Sequence, residues 1–364
     1  MIQIPFHINY GIVISDANIY TSAEVSVSTE IIRADVGTRP KHGSVILFGA
    51  LMFDCLGKNV LVYDVGGTNV SAAVCSGGDY RLGPVSQLPY TGIETPEAFA
   101  ELIELLAVRS LQSGVPVAGA ALAFPGPFDF ASGISRMRHK LPYLYGIDLR
   151  AEFSRRLGLE PASIRFLHDA PAFLLGEISV GSARGVNRVV GMTLGTGIGS
   201  AFAANGRIVS SGPGIPPQGE VWNLPFRDGI LEDAVSSRAI RLSYEIRTGR
   251  TREVVDIAAA AAVDADAAKA FSDFGQHLGQ AMRQILAEFA PDAVVLGGSI
   301  SRSASLFLPS AERELGGLPF ELRISALFDH AALVGAASAW FNETSASGGK
   351  AVTFAGNSLY PDAL

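Results

Sequence analysis

The chain has 364 residues, 48% hydrophobic and 17% charged, with a formal net charge of -7. That length is too great for one ordinary core and predicts two domains or lobes, and the composition excludes a disordered chain. The acidic balance and the lack of a dense Lys/Arg cluster exclude nucleic acid or an anionic membrane as the main partner.

Residues 1–57 read as an atypical N-terminal extension of poor order, because they mix β-prone and turn residues without a persistent period. Within them "SVILFGALMF" (44–53) is far shorter than the roughly 18–20 apolar residues of a membrane span, and it runs into a strand with no cleavage site. The ordered domain is expected to begin near Lys58, with Met52 as a natural start. The two cysteines, Cys55 and Cys75, form no CxxC pair, which argues against a thiolate zinc site or a disulfide framework. Each reads as a small buried hydrophobe in a reducing, cytoplasmic protein.

From residue 59 the patterns sharpen. "NVLVYDVGGTNVSAAVC" (59–75) predicts strand, glycine turn, strand. Thr95 and Pro96 open a helix carrying Phe99, Leu102, Ile103, Leu105 and Leu106 at helical spacing. "VAGAALAF" (117–124) predicts a buried strand that ends at Pro125-Gly126-Pro127, and "IRFL" (164–167) another. Asp169 then stands where a strand hands over to a helix, as a cap with Pro171 in the first turn or as a positioned base. "RVVGMTLGTGIGSAFA" (188–203) repeats strand, glycine turn, strand. A long helix over 264–290 aligns Phe271, Phe274, Leu278, Met282, Ile285 and Phe289 on one stripe. "AVVLGGSIS" (293–301) adds a strand and glycine turn, and 330–341 a small-residue helix. Alternating strands and helices predict an α/β architecture. "DVGGTNVSAAV" (64–74) superposes without gaps on "TLGTGIGSAFA" (193–203), 129 positions on, which predicts a duplicated fold with one copy per lobe.

Both glycine turns can cradle phosphates, since glycine lets backbone N–H groups approach an anion. Neither carries the lysine of a P-loop, and each joins two strands where a dinucleotide motif would open a helix. Mg²⁺ would then have to neutralise the phosphates, with Asp64 able to hold it through water. Taken singly, each turn is also an ordinary glycine-rich β-turn.

"DVGGTN" (64–69), "FPGPFD" (124–129), "HDAPAFLLGE" (168–177), "LGTGIGS" (194–200), "GEVWN" (219–223), "LEDAVS" (231–236), "VVLGGSIS" (294–301) and "ALVGAA" (332–337) stand in the order found in ROK-family sugar kinases. Over residues 59–342 the chain resembles that family. The resemblance implies the two-lobed, duplicated ribonuclease H-like fold of the actin, hexokinase and chaperone ATPases, with a mixed sheet flanked by helices in each lobe. It divides the chain into a small lobe (58–168) with the first phosphate loop and a large lobe (169–343) with the second. The last helix, 330–342, would pack back on the small lobe, and 344–364 form a tail.

By resemblance, Asp64, Gly66, Gly67 and Thr68 form the first phosphate loop, and Gly195, Thr196, Gly197 and Gly199 the second. Gly297, Gly298 and Ser299 approach the adenosine end of ATP, and Asp169 aligns with the catalytic base. Glu220 and Glu232 match two carboxylates that grip sugar hydroxyls, with solvated surface charge as their ordinary alternative. The chain departs from the family at His168, where Asn is common, and at Asn223, where a histidine shared by sugar and structural zinc is common. The zinc cysteines are absent too, so no zinc site is expected. Asn223 can still hydrogen-bond a sugar, and His168 either donates to a sugar hydroxyl or packs with its ring satisfied by backbone. Lys140 with Tyr143 or Tyr145 stands where relatives line the sugar pocket. The implied activity is an ATP- and Mg²⁺-dependent kinase acting on the 6-hydroxyl of a hexose or hexose derivative, with a homodimer within the family's range. The alternatives are a sugar-sensing regulator, for which residues 1–58 offer no basic recognition helix, and a sugar-binding protein with weak turnover.

Overall fold

The computed structural model describes residues 7–15, 18–27, 30–33, 59–111, 115–317 and 320–346. The chain divides into two compact units at Leu56 and Gly57. In the first, strands β1 (His7–Ser15), β2 (Asn18–Val27) and β3 (Glu30–Arg33) form an antiparallel meander. The apolar run at 44–53, Met52 as a start and Cys55 lie outside the described residues.

The second unit opens with β4 (Asn59–Val65), β5 (Asn69–Ser76) and β6 (Ser86–Pro89), each antiparallel to the next. Helix α1 (Pro96–Ser110) and strand β7 (Ala120–Phe124) follow, then a short ribbon of β8 (Phe128–Asp129) and β9 (Ile134–Ser135). Helix α2 (Leu149–Leu157), strand β10 (Ile164–His168) and helix α3 (Asp169–Val180) complete this half. The sheet order is β10-β7-β4-β5-β6, with β7 parallel to both β4 and β10.

The next half repeats it. Strands β11 (Arg188–Leu194), β12 (Ile198–Ala204) and β13 (Arg207–Val209) are antiparallel neighbours. A hairpin of β14 (Pro225–Phe226) and β15 (Gly229–Ile230) leads into helices α4 (Leu231–Ala234), α5 (Ser237–Thr248), α6 (Val254–Ala260) and α7 (Ala265–Leu286). Then come β16 (Ala293–Gly297), α8 (Ala304–Leu315), β17 (Glu321–Ile324) and α9 (Ala331–Ala346). The order β13-β12-β11-β16-β17 is that of the first sheet, with β16 parallel to both β11 and β17. Strands β4 and β11 begin 129 positions apart, as do β5 and β12, which is the offset of the sequence echo.

Central strands covered on both faces read as continuous apolar runs, and here the residues divide by period two. Leu61, Tyr63 and Val65 enter one core with Phe99, Ile103 and Leu106 of α1, while Val60 and Val62 enter another with Leu333, Ala336, Ala337 and Trp340 of α9. Cys75 is a buried member of the second core. Helix α1 starts where expected: the Thr95 hydroxyl accepts from Ala98 N at 3.2 Å and Pro96 takes the first helical position. Leu105, counted on the apolar stripe in the sequence, is 44% exposed, because it lies off the face centred on Phe99, Ile103 and Leu106. Helix α7 buries Phe271, Phe274, Leu278 and Met282, but it ends at Leu286, short of the expected 290. Phe289 therefore packs from the following loop, edge-on to Phe202 at 5.0 Å.

Helices α3 and α9 touch backbone to backbone. A methyl group at Gly335 would strike the Ala172 carbonyl, and one at Gly176 the Ala331 carbonyl. Beyond the crossing, Glu177 is fully buried at the C-terminal part of α3. Its carboxylate accepts from Ser182 N at 2.6 Å, Leu327 N at 3.1 Å, Ala326 N at 3.3 Å and the Ser325 hydroxyl. Four donors on two oxygens offset the desolvation of a buried carboxylate. They also tie α3 to the segment that leads into α9.

Replacing Gly335 by alanine should lower unfolding stability by about 2 kcal/mol or more, since carbonyl groups on a packed helix cannot retreat. Gly78→Ala, where an added methyl meets nothing within 4 Å, should change it by less than about 1 kcal/mol. Equal urea midpoints for the two variants would contradict this account of the crossing.

Candidate functional site

Pairing fixes where the first candidates stand. Asp64 of β4 is opposite Ala123 of β7, and His168 of β10 is opposite Phe124. Asp64 and His168–Asp169 therefore sit at the C-terminal ends of the two parallel strands that flank β7, the edge at which open α/β sheets bind ligands. The cap reading of Asp169 is corrected: His168 holds the cap position and Asp169 is the first helical residue. Its carboxylate accepts from Ala170 N at 2.8 Å, near the N-terminal N–H groups that favour negative charge. Nearby charge shows on Asp64, whose carboxyl burial pushes up to about 7, with further upward push from the negative charges of Asp169 and Asp329.

The first glycine turn is closed by Gly66 N on Asn69 O at 3.0 Å. Tyr90 holds it from outside. Its hydroxyl lies 2.9 Å from Gly66 O and 2.6 Å from Gly67 O, and its N–H reaches Thr68 O at 3.1 Å. The N–H groups of Gly67 and Thr68 make no hydrogen bond among the described residues, and a methyl at Gly67 would meet nothing within 4 Å. This turn thus offers open donors.

The second turn is braced by Gly195 N on Gly197 O at 3.0 Å and by Ser237 N on Gly195 O at 2.8 Å. A methyl at Gly199 would strike the Thr193 hydroxyl on the paired strand and lie 3.3 Å from Ala170 Cβ, so this glycine makes room for Thr193 and for the first turn of α3 against β12. Gly298, at φ 80°, presses against the backbone of Leu194, and Ser299 Oγ is the nearest group to a methyl at Gly195, at 3.9 Å. The second turn and Gly297–Ser299 therefore form one wall. Gly297 packs on the ring of Phe173, about one turn into α3 from Asp169.

The remaining candidates divide. His168 Nε2 stands 3.3 Å from Asp169 Oδ1, and Nδ1 stands 4.0 Å from Glu220 Oε1. The ring also packs on Phe130, with centroids 5.6 Å apart. Its nitrogens thus face carboxylates. Glu220 Oε2 accepts from the indole N–H of Trp222 at 2.9 Å. Glu232 comes beside this loop through its own N–H on Trp222 O at 3.0 Å. Its carboxylate accepts from Ile198 N at 3.3 Å and crowds Gly197, so it is seated against the second turn. Asn223 and Lys140 are exposed, and no hydrogen bond joins Asn223 to His168, Glu220 or Glu232 among the described residues. Tyr145 pairs with Arg138 at 2.8 Å, while Tyr143 turns to Phe99.

Two supporting residues escaped the sequence. Tyr90 lies far from its turn in the chain and carries no local signal. Ser200 was visible only as part of the repeated Ser-Ala. Its buried hydroxyl donates to Gly219 O at 2.6 Å and accepts from Val221 N at 3.1 Å, gripping both neighbours of Glu220.

Among the described residues no group of three or more His, Cys, Asp or Glu side chains is arranged to hold a metal, and no helix is long and apolar enough to cross a membrane. Oxygen donors suit Mg²⁺ bound with a nucleotide: the Asp64 carboxylate, crowded by negative charge, lies beside the open amides of the first turn.

A sequence profile of the ROK family matches residues 60–343. A glucokinase of Thermotoga maritima is 28% identical over 308 residues, covering 76% of this chain and 95% of its own. An N-acetyl-D-glucosamine kinase of Pectobacterium carotovorum is 27% identical over 286 residues, covering 71% and 91%. The crystal structure of a ROK hexokinase from Thermus thermophilus superposes with a TM-score of 0.66 at 25% identity, covering 79% of this chain and 99% of that one. The duplicated sheets are those of the actin-like ATPase fold.

The raised carboxyl of Asp64 has a consequence for stability. The folded chain keeps this proton up to about pH 7, whereas an unfolded Asp releases it near 3.8. The stabilisation is complete below the lower value and is lost as pH rises to the upper. Asp64→Asn, which never ionises, should therefore melt higher than wild type at pH 8, by on the order of 2–5 °C, and close to it at pH 4. Scanning fluorimetry without nucleotide or divalent ion reads this; a difference that does not grow with pH would refute it.

Proposed function

The chain belongs to the ROK family, and on that premise we propose that it is an ATP-dependent kinase for the 6-hydroxyl of a hexose, glucose-like or carrying an amino or N-acetylamino group. The observation that carries this reading is the seat of Asp169: at one sheet edge with Asp64, on a helix whose first turn rests on Gly199. A carboxylate there has both glycine turns about it. The relatives named glucokinase and N-acetyl-D-glucosamine kinase support the substrate class.

A sugar hydroxyl is a poor nucleophile, and Asp169 accepts its proton as the oxygen bonds to the γ-phosphorus. The bridging P–O bond breaks, and its electron pair leaves with ADP. The rest of the task is positioning and charge. The N–H groups of Gly67 and Thr68, and of Thr196 and Gly197, cradle phosphate oxygens, with Gly66, Gly195 and Gly199 shaping the two turns, while Gly297, Gly298 and Ser299 border the adenosine. Glu220 and Glu232 accept from sugar hydroxyls, and Ser200 keeps Glu220 in register. Bound Mg²⁺ supplies neutralisation of phosphate charge, with Asp64 as the residue to hold it through water.

A coupled ADP-release assay with Mg-ATP over hexoses, amino sugars and their N-acetyl forms tests the reading, and silence across the panel would remove it. Asp169→Asn should lower kcat by roughly 10²- to 10⁴-fold with sugar affinity little changed; near wild-type turnover would refute the assigned base. Ser200→Ala should raise the sugar KM by roughly 5- to 30-fold and leave the ATP KM in place. An equal rise in both would point to general loosening.

A further inference from the structure

Glu220 is more constrained than a sugar-gripping carboxylate needs to be. A free carboxylate has two oxygens and about four lone-pair directions, enough to accept from two adjacent hydroxyls. Here one of the two directions on Oε2 is taken by the indole N–H of Trp222 at 2.9 Å. The backbone of Trp222 is held in place, because its carbonyl accepts from Glu232 N at 3.0 Å and its neighbour Val221 is fixed by Ser200. Trp222 remains 40% exposed. The other oxygen, Oε1, faces Nδ1 of His168 across 4.0 Å. That is too far for a direct hydrogen bond and about right for one hydroxyl set between them at about 2.7–3.0 Å from each.

Resting on the kinase reading, we propose that Trp222 and His168 make Glu220 a reader of a single sugar hydroxyl. The bridged hydroxyl donates to Oε1 and accepts from Nδ1, while the indole competes with a second hydroxyl for Oε2. The same imidazole faces Asp169 at 3.3 Å, so it spaces the hydroxyl that is read from the hydroxyl that reacts. The ring position next to the bridged one goes unread by this carboxylate, which suits a hexose substituted or deoxygenated there.

The test is kcat/KM over the singly deoxygenated forms of the best hexose, for wild type, Glu220→Gln, Trp222→Phe and the Glu220→Gln/Trp222→Phe pair. Glu220→Gln should cost the parent sugar roughly 10- to 100-fold, and should cost nothing further on one analogue alone, the one lacking the bridged hydroxyl. In the Trp222→Phe background a second analogue should become insensitive to Glu220→Gln, because Oε2 is then free for a neighbouring hydroxyl. Two insensitive analogues in wild type, or the same single analogue in both backgrounds, would overturn the proposal while leaving the kinase reading intact. No turnover of any hexose by wild type would instead overturn the kinase reading, and this inference with it.

Discussion

Helix α3 can occupy only one place, because its backbone meets backbone. Gly176 and Gly335 allow α3 and α9 to cross at contact distance, and the four donors on buried Glu177 lock the far end of α3. The near end rests on Gly199 through Ala170, and Phe173 packs against Gly297. Asp169 is the first residue of this rod. Interiors packed at crystal density transmit displacement, so the position of the proposed base follows from contacts on both sheets. The acid–base chemistry and the packing of the two halves are thus set by the same helix.

The fold was legible because its signal is periodic and repeated. The strands alternate between two apolar faces, the glycine turns interrupt them at matching places, and one offset of 129 positions carries over from sequence to sheet order. Boundaries were less legible. The stripe of α7 continues past its end at Leu286, since Phe289 is buried by the same core from a loop. Leu105 shares the spacing of its neighbours but not their face. Apolar spacing reports that a residue has company, not which element supplies it.

At the site, the residues found from sequence are those whose chemistry is local: glycines that need bare backbone, and a carboxylate at a strand end. Those missed act from a distance. Tyr90 braces a turn more than twenty positions earlier, and Ser200 braces a loop about twenty later. The role of Trp222 depends on a loop geometry that no periodicity encodes. Glu232 was recognised by its motif alone, and its seat against Gly197 and Ile198 was not, because that contact arises only when the β14–β15 hairpin closes. Asp169 as a cap was a fair reading of strand-to-helix chemistry that missed the boundary by one residue, the usual error at helix ends.

The plating of the first sheet by α9 also bears on how the chain is made. Val60, Val62, Ala73, Cys75 and Ala121 are covered by Leu333, Ala336, Ala337 and Trp340, which lie more than two hundred residues further on. On the ribosome the first sheet emerges with one apolar face bare and stays so until nearly the whole kinase-like body has been translated. Burial of that face of the first sheet therefore awaits α9, and chains released before that helix would present an uncovered, aggregation-prone sheet face.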